Sequence, residues 1–242
     1  MTVDELRAIG KRRDPADLPR LIQALSDSES RLREQAAVCL GWLHSPATTA
    51  PLVVAAQADP EAAVRAAALR ALGVRKDPQS ASAVRAGLKD PDARCVALAL
   101  RLAGYLNIER EAVAAAVSVQ AGEAAEEACR AAGRQGLVQC RGDLWDRFAT
   151  GDEGLRRAAG VAWCSLAQAD HLPTLRDLLA DVDPDVRVSA LHAVERLRPA
   201  GVADWVAPLV DDPHPAVARV AEAIVDRLAT ATGPPSSPPS PR

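Results

Sequence analysis

The chain has 242 residues, of which 48% are hydrophobic and only 2% aromatic, and its formal net charge is −3 at pH 7. A charge so close to zero produces no global field that would attract nucleic acid or an anionic membrane. The apolar runs are far too short to cross a bilayer and no signal peptide is visible, so we expect a cytoplasmic location and no membrane partner.

Residues 1–13 predict a capping helix at the start of the chain. Thr2 and Glu5 have the spacing of a capping box, in which each side chain bonds the backbone N–H of the other residue. Lys11, Arg12 and Arg13 follow near the expected end of this helix, where the helix dipole stabilises positive charge.

The stretch from Asp59 to Gly73 recurs along the chain and organises the sequence. Each copy can be aligned on an apolar anchor five places after its first residue. The anchors are Leu32, Val64, Cys95, Leu155, Val186 and Val217. Their spacings are 32, 31, 60, 31 and 31 residues, and the interval of 60 contains one degenerate copy near Ala124. Repeats of this length are typical of solenoid proteins.

Each copy predicts two helices. Apolar pairs four residues apart, such as Leu21 and Leu25, lie on one helical face upstream of the anchor, and the anchor begins a second apolar stripe. An N-cap aspartate followed by proline is expected to begin the second helix, because both residues suit these positions. The pairs are Asp59-Pro60, Asp90-Pro91, Asp183-Pro184 and Asp212-Pro213. Gly73 and Gly104 are expected to end it, since glycine readily adopts a left-handed conformation.

Short helix pairs cannot bury an apolar face alone, but stacked pairs can. We therefore expect an all-α fold, a right-handed α-solenoid of about seven helix pairs over residues 14–229, with the second helices on its concave side. Residues 230–242 are so rich in proline and serine that a disordered tail is expected. Residues 107–136 form the weakest copy, because its second helix has to pack through alanine.

Five cysteines occur in the sequence, without a Cys-x-x-Cys pair. Four of them fall inside predicted second helices, where a small apolar residue is required. We interpret them as reduced packing residues, and we expect neither a metal site nor a cofactor.

The pattern Asp-Pro-x-x-x-Val-Arg-x-x-Ala-x-x-Ala-Leu-Gly resembles the short HEAT-like repeat of the phycobilisome-lyase type, over roughly residues 15–229. The resemblance implies that the arginine after each anchor reaches the leading aspartate of a neighbouring repeat, which gives an intramolecular ladder. An anion-binding row is the alternative. The ladder residues are Asp27, Arg33, Asp59, Arg65, Asp90, Arg156 and Arg187.

A different row of side chains is the candidate partner-binding site on the concave side. It consists of Arg70, Arg101, Arg130, Arg157 and His192. Guanidinium groups pair bidentately with carboxylates, so such a row can clamp an acidic segment of a protein partner. Solvated surface arginines are the alternative, which the nearby Glu126 and Glu127 favour.

No catalytic pattern is visible. None of the four histidines lies in a His-Glu pair, the motif from which the HEAT-like deoxyhypusine hydroxylase builds its di-iron site. A HEAT-like alkylpurine DNA glycosylase would need a basic channel with aromatic residues, which this composition does not favour. We therefore expect a non-catalytic scaffold, adaptor or regulatory subunit that binds protein and not nucleic acid. A bilin lyase-like subunit or a glycosylase-like repair protein is the enzymatic alternative.

Overall fold

The computed structural model of the chain describes residues 1–43, 45–75 and 77–231. Regular structure within these ranges consists of α-helices and short 3₁₀ turns. The chain divides into two compact units, Met1–Ala162 (unit 1) and Trp163–Arg242 (unit 2). None of the helices within the described ranges is both long enough and apolar enough to cross a membrane.

Unit 1 consists of α1 and a series of helix pairs. The helices that begin in it are α1 (Val3–Arg12), α2 (Leu18–Ala24), α3 (Ser30–Trp42), α4 (Thr49–Ala58), α5 (Ala62–Arg75), α6 (Ala81–Gly87), α7 (Ala93–Leu106), α8 (Arg110–Val119), α9 (Gly122–Gln135), α10 (Arg141–Thr150) and α11 (Glu153–Leu166). The even-numbered helices are the first helices of the pairs, and the odd-numbered helices from α3 onward are the second helices. α1 packs against α3, and α3, α5, α7 and α9 then pack on one another in order.

Helix α1 begins with the predicted capping box. The Thr2 hydroxyl accepts a hydrogen bond from the Glu5 backbone N–H at 3.2 Å, and the Glu5 carboxylate accepts one from the Thr2 N–H at 2.7 Å. Leu6 and Ile9 are buried against the rest of unit 1. This helix therefore covers one end of the layer of second helices.

Unit 2 contains the last two helix pairs. Its helices are α12 (Leu172–Leu178), α13 (Pro184–Leu197), α14 (Val202–Val206) and α15 (Pro215–Ala231). Arg196 closes the C-terminal end of α11 by donating to the carbonyl oxygens of Cys164, Ser165 and Ala167 at 3.3, 3.4 and 2.9 Å. The described residues thus contain seven helix pairs, which confirms the predicted all-α repeat architecture. From residue 232 onward, the predicted tail lies outside the described residues.

The second helices begin later than predicted at three of the four Asp-Pro pairs. Asp183 is the N-cap of α13 and Pro184 is its first residue, as expected. At Asp59, Asp90 and Asp212 the prediction is wrong, because the helix begins three residues after the aspartate. Each of these carboxylates instead accepts the backbone N–H two residues on, at 2.8–2.9 Å. The aspartate forms a local turn, and its other oxygen lone pairs are left for a second donor.

The prediction that Gly73 and Gly104 end their helices is also wrong. Both helices continue for two further residues, and α7 is ended by Asn107 in the left-handed conformation, with φ 54°. A Cβ atom added to Gly104 would lie 2.9 Å from the backbone Cα of Ala131, so glycine permits the close approach of α7 and α9. Around Gly73, a Cβ atom would meet nothing within 4 Å.

The pair α8–α9 has the small-residue core that the sequence predicts. The buried residues of α9 are Ala124, Ala125, Glu127, Ala128, Cys129, Ala131, Ala132 and Gln135. Side-chain hydrogen bonds add to this packing, since Gln135 Nε2 donates to the carbonyl oxygen of Ala103 in the preceding repeat at 2.9 Å and to that of Ile108 in the loop before α8 at 2.8 Å. From α10, Arg147 donates to the carbonyl oxygen of Val117 at 3.0 Å. Side-chain hydrogen bonds therefore join this pair to both of its neighbours.

Candidate partner-binding face

Four of the five predicted binding residues lie on successive second helices. They are Arg70 on α5, Arg101 on α7, Arg130 on α9 and Arg157 on α11. Arg70 is exposed, and the other three side chains are half-buried. We call the exposed side of α3, α5, α7 and α9, with the part of α11 in unit 1, the second-helix face. His192 is exposed on α13 in unit 2.

A cavity of about 150 Å³ lies on this face between α5 and α7. Its lining residues are Glu34, Ala63, Ala66, Ala67, Arg70, Arg94, Leu98, Arg101 and Glu123. The alanines of α5 and Leu98 of α7 give it an apolar floor, and the charged residues surround that floor. The structure therefore brings Arg70 and Arg101 together, and it adds Arg94, which sequence reasoning missed.

The three guanidinium groups of this cavity differ in their hydrogen bonding. Arg94 is held by Asp92, with Nε 3.1 Å from Oδ1 and Nη2 2.9 Å from Oδ2. This contact holds the pKa of the Asp92 carboxyl at about 2. Arg101 Nη2 lies 2.9 Å from Glu127 Oε1 and 3.5 Å from Glu123 Oε1. Arg70 has no hydrogen bond or ion pair with any residue in the described ranges.

The carboxylate of Glu127 lies between Arg101 and Arg130. Its side chain is only 4% exposed, and its Oε1 accepts from Arg101 and from Arg130, each at 2.9 Å. Arg130 also donates to Glu126 at 2.7 Å. Within the described residues, Oε2 of Glu127 is buried without a hydrogen-bond partner. A buried carboxylate is costly unless it is paired, so Arg101 and Arg130 have a structural role in addition to any role in binding.

Two further arginines of the face, Arg157 and Arg134, have other kinds of contact. Arg157 donates to Glu153, one helical turn earlier on α11, at 2.9 Å. Arg134 of α9 lies over the ring of Tyr105, with Cζ 4.5 Å from the ring centroid, and Tyr105 is exposed. This cation–π pair is a second feature that the sequence did not indicate.

The expected ladder arginines lie in the first turns of the second helices, and the aspartates lie on the loops before these helices. Arg33 binds Asp59 with two hydrogen bonds of 2.8 and 3.0 Å, and Arg65 binds Asp90 in the same way. In unit 2, Arg187 forms the corresponding pair with Asp212. Each arginine uses Nη1 to bond two carbonyl oxygens of the loop before its own helix.

Two other residues expected in the ladder, Asp27 and Arg156, make further contacts. The Asp27 carboxylate accepts the Glu29 N–H at 3.0 Å, and its carbonyl oxygen accepts from Arg33. Arg156 lies over the ring of Phe148, with Cζ 4.3 Å from the ring centroid. The sequence pattern gave no signal for this stacking, because it depends on how α10 lies against α11.

In each arginine–aspartate pair, the pKa of the aspartate carboxyl is lower than its ordinary value. Hydrogen bonds from Arg65 hold the pKa of Asp90 below its ordinary value, and Arg187 does the same for Asp212. At Asp59, burial is the largest single influence and raises the pKa, but the hydrogen bonds from Arg33 and the Glu61 N–H, together with the positive charges of Arg33 and Arg65, lower it overall. The carboxylates are therefore charged in the folded protein over the whole neutral and mildly acidic range.

All five cysteines are buried free thiols. Burial raises the pKa of Cys95 to about 11 and the pKa of Cys129 and Cys164 to about 12. A thiol with so high a pKa is a poor nucleophile at neutral pH. Their positions are those of packing residues in the core.

The sequence and the fold of the chain are similar to those of known repeat proteins. A sequence model of HEAT repeats matches residues 6–60. The comparison with curated proteins gives no match. Among solved structures, the chain is similar to a chain in the complex of CpcE and CpcF of phycocyanin lyase from Nostoc sp. PCC7120. The identity is 20% and the TM-score 0.56, over 86% of this chain and 93% of that chain.

Two further solved structures have the same fold. YibA of Escherichia coli is 16% identical with a TM-score of 0.67, over 92% of this chain and 85% of that chain. A chain from the structure of Kap95p with RanGDP is 11% identical with a TM-score of 0.56, over 93% of this chain and 37% of that chain. The HEAT-repeat model thus matches residues 6–60, and the chain shares the helix-pair fold of these solved structures.

Proposed function

We propose that the chain is a non-catalytic protein-interaction scaffold, adaptor or regulatory subunit, and that its partner binds the second-helix face. The observation that carries the proposal is the cavity between α5 and α7, where three arginines and two glutamates surround an apolar floor. Of the three arginines, Arg94 is bonded to Asp92 and Arg101 to Glu127, which leaves the Arg70 guanidinium to pair with an incoming anion. A protein partner that presents an acidic segment fits this chemistry.

The second-helix face is large enough for a specific interface. A helix of 14 residues, such as α5 or α7, is about 21 Å long, since each residue adds about 1.5 Å. Four packed helices at a spacing of about 9 Å present a width of roughly 36 Å. The product is roughly 750 Å², close to the ~800 Å² that each partner buries in a standard interface. Packed helices also hold the contact residues in place before binding, which reduces the entropy cost.

The solved neighbours are consistent with this class of function. CpcE occurs in a complex with CpcF, and Kap95p binds Ran. At these identities the similarity concerns the fold alone, so it supports a protein-binding role without indicating the partner. A bilin lyase-like role would rest on the same fold similarity, and no residue of the second-helix face supports it specifically.

Capture from a lysate of the source organism tests the proposal. Three full-length baits are compared: the wild type, Arg70→Glu, and Arg20→Glu as a matched control. Arg20 lies on the first helix α2 with a side chain that is 61% exposed, and its replacement makes the same charge change away from the face. Its ion pair with Asp17, at 3.6 Å, is lost in the variant, but Arg12 still pairs with Asp17 at 3.0 Å. Arg101 and Arg130 are left intact, because their replacement would leave the buried Glu127 without its partners. Circular dichroism confirms that each variant is folded.

We expect a protein that is captured by the wild type and by Arg20→Glu, and that Arg70→Glu captures at least about tenfold less, which corresponds to about 1.4 kcal/mol. Equal capture by all three baits would contradict the proposed face. The absence of any reproducible protein partner would contradict the scaffold function itself.

A further inference from the structure

The charges of the second-helix face are compensated unevenly. Arg130 is bonded to Glu126 and Glu127, and Arg157 to Glu153. These arginines have carboxylates from their own helices, so an incoming anion would have to replace a bond that already exists. The part of the face on α9 and α11 therefore gains little from an acidic partner.

The cavity between α5 and α7 is different because of Arg70. Asp92 occupies the fork of Arg94, and Glu127 is bonded to Arg101. Arg70 has no such partner among the described residues, and its guanidinium carries five N–H donors in a fixed planar geometry. A carboxylate that enters here can take two parallel hydrogen bonds from Arg70 without displacing an existing one.

The size of the cavity limits what can enter. Its volume of about 150 Å³ is that of a cavity that accepts one small molecule such as benzene, and it is therefore close to one side chain. Ala63, Ala66 and Leu98 provide apolar contacts for the methylene groups of that side chain. A helix or an extended strand would be too large to enter, so the backbone of the partner lies outside.

From these observations we infer that the cavity receives a single acidic side chain, glutamate or aspartate, from the partner protein, and that Arg70 is its specificity-determining residue. The inference rests on the proposed function, and it adds which chemical group of the partner is recognised and where on the face it binds. Glu34 and Glu123 also line the cavity, and Glu123 is exposed. Both repel an incoming carboxylate, so the chain's own acids weaken this contact.

Peptide titration tests the inference without the natural partner. The ¹⁵N-labelled full-length chain is titrated with acetyl-Gly-Gly-Glu-Gly-Gly-amide, and NMR follows the Nε–H signal of Arg70 and the backbone N–H signals of Ala66 and Ala67. The same peptide with Gln in place of Glu is the neutral control. A protein can also present a carboxylate at its C-terminus. Acetyl-pentaglycine with a free C-terminal carboxylate tests this second source.

The Glu peptide is expected to shift these signals to saturation, while the Gln peptide and the chain-end peptide bind more weakly. Arg70→Gln should weaken binding about three- to fivefold, and Glu34→Gln and Glu123→Gln should each strengthen it roughly twofold, in the range of exposed ion pairs. The control Arg20→Gln should change it little. The inference would be overturned if the Glu peptide shifted none of these signals, or if the chain-end peptide bound more tightly than the Glu peptide. Weaker binding of the Glu peptide after either glutamate substitution would also overturn it.

The outcomes separate this inference from the proposed function. If a partner is captured through Arg70 but the Glu peptide leaves the signals unchanged, the scaffold stands and the acidic-side-chain cavity is wrong. If the peptide binds as expected but no partner is captured, the cavity stands and the scaffold function is contradicted.

Discussion

Arg65 joins two successive repeats through one guanidinium group. Its Nε lies 2.7 Å from Asp90 Oδ2 and its Nη2 2.9 Å from Asp90 Oδ1, while Nη1 donates to the carbonyl oxygens of Asp59 and Pro60 at 2.9 and 3.0 Å. The two side chains are only 12% and 6% exposed. A pair so well shielded and so completely hydrogen-bonded contributes more than a surface ion pair does.

Removal of this partner should therefore destabilise the fold. We expect Asp90→Ala to lower the free energy of unfolding by about 3 kcal/mol, because it leaves a largely buried guanidinium without its anion. Urea unfolding followed by circular dichroism measures the change. The control is Glu153→Ala, which breaks the exposed pair with Arg157 and should cost less than about 0.5 kcal/mol. Equal losses in the two variants would contradict the structural role of the ladder.

The same pair predicts how stability depends on pH. Arg65 lowers the pKa of Asp90 in the folded state, whereas an unfolded aspartate titrates near about 3.9. The stabilisation is fully present above about pH 4, and it is lost as the pH falls through the lower folded pKa. The free energy of unfolding should decline from pH 4 downward, and more steeply in the wild type than in Asp90→Asn. Urea unfolding at pH 5, 4 and 3 checks this, and parallel declines would show that Asp90 is not the group involved.

Two glycines at equivalent repeat positions should respond to alanine with opposite signs. Gly73→Ala should raise the free energy of unfolding by roughly 0.5–1 kcal/mol, because the site is open and alanine favours a helix. Gly104→Ala should lower it by about 1–3 kcal/mol, because the new Cβ would press on the backbone of Ala131. Thermal or urea unfolding of the two variants compares them directly. Stabilisation by Gly104→Ala would refute the close approach of α7 and α9.

The pair α8–α9 should be the least stable part of unit 1. Its second helix buries alanines and one cysteine in place of leucines, and each missing leucine removes about 1.5–3 kcal/mol of apolar burial. Hydrogen exchange detected by mass spectrometry should show faster exchange in α8 and α9 than in α5 and α7. Uniform protection across unit 1 would mean that the bonds from Gln135 and Arg147 fully compensate for the small core.

The repeat architecture could be predicted because the spacing of about 31 residues is visible in the anchors themselves. The contacts of individual side chains at the site could not be predicted. Glu127 resembles any surface glutamate in the sequence, and its burial depends on Arg101, which lies 26 positions earlier and one repeat away. Gly73 and Gly104 align in sequence, yet only Gly104 meets a backbone from the next helix.

The cavity was missed for a similar reason. It is lined by side chains from α3, α5, α7 and α9. A local sequence pattern does not show how four separate helices bring their side chains together. Arg70, Arg101 and Arg130 looked equivalent in the sequence. Only the hydrogen bonds of the folded chain distinguish Arg70 from the other two.

The central claim, that a protein partner binds the second-helix face, is tested most directly by site-specific photo-cross-linking. Val74 lies one helical turn beyond Arg70 on α5, and Val54 lies on the first helix α4 of the same pair. The two are almost equally exposed, at 61% and 62%. A benzoylphenylalanine residue is placed at either position, and the full-length protein is irradiated in a lysate of the source organism. The account predicts a cross-linked protein from position 74 and none from position 54, whereas cross-linking from position 54 alone would contradict it.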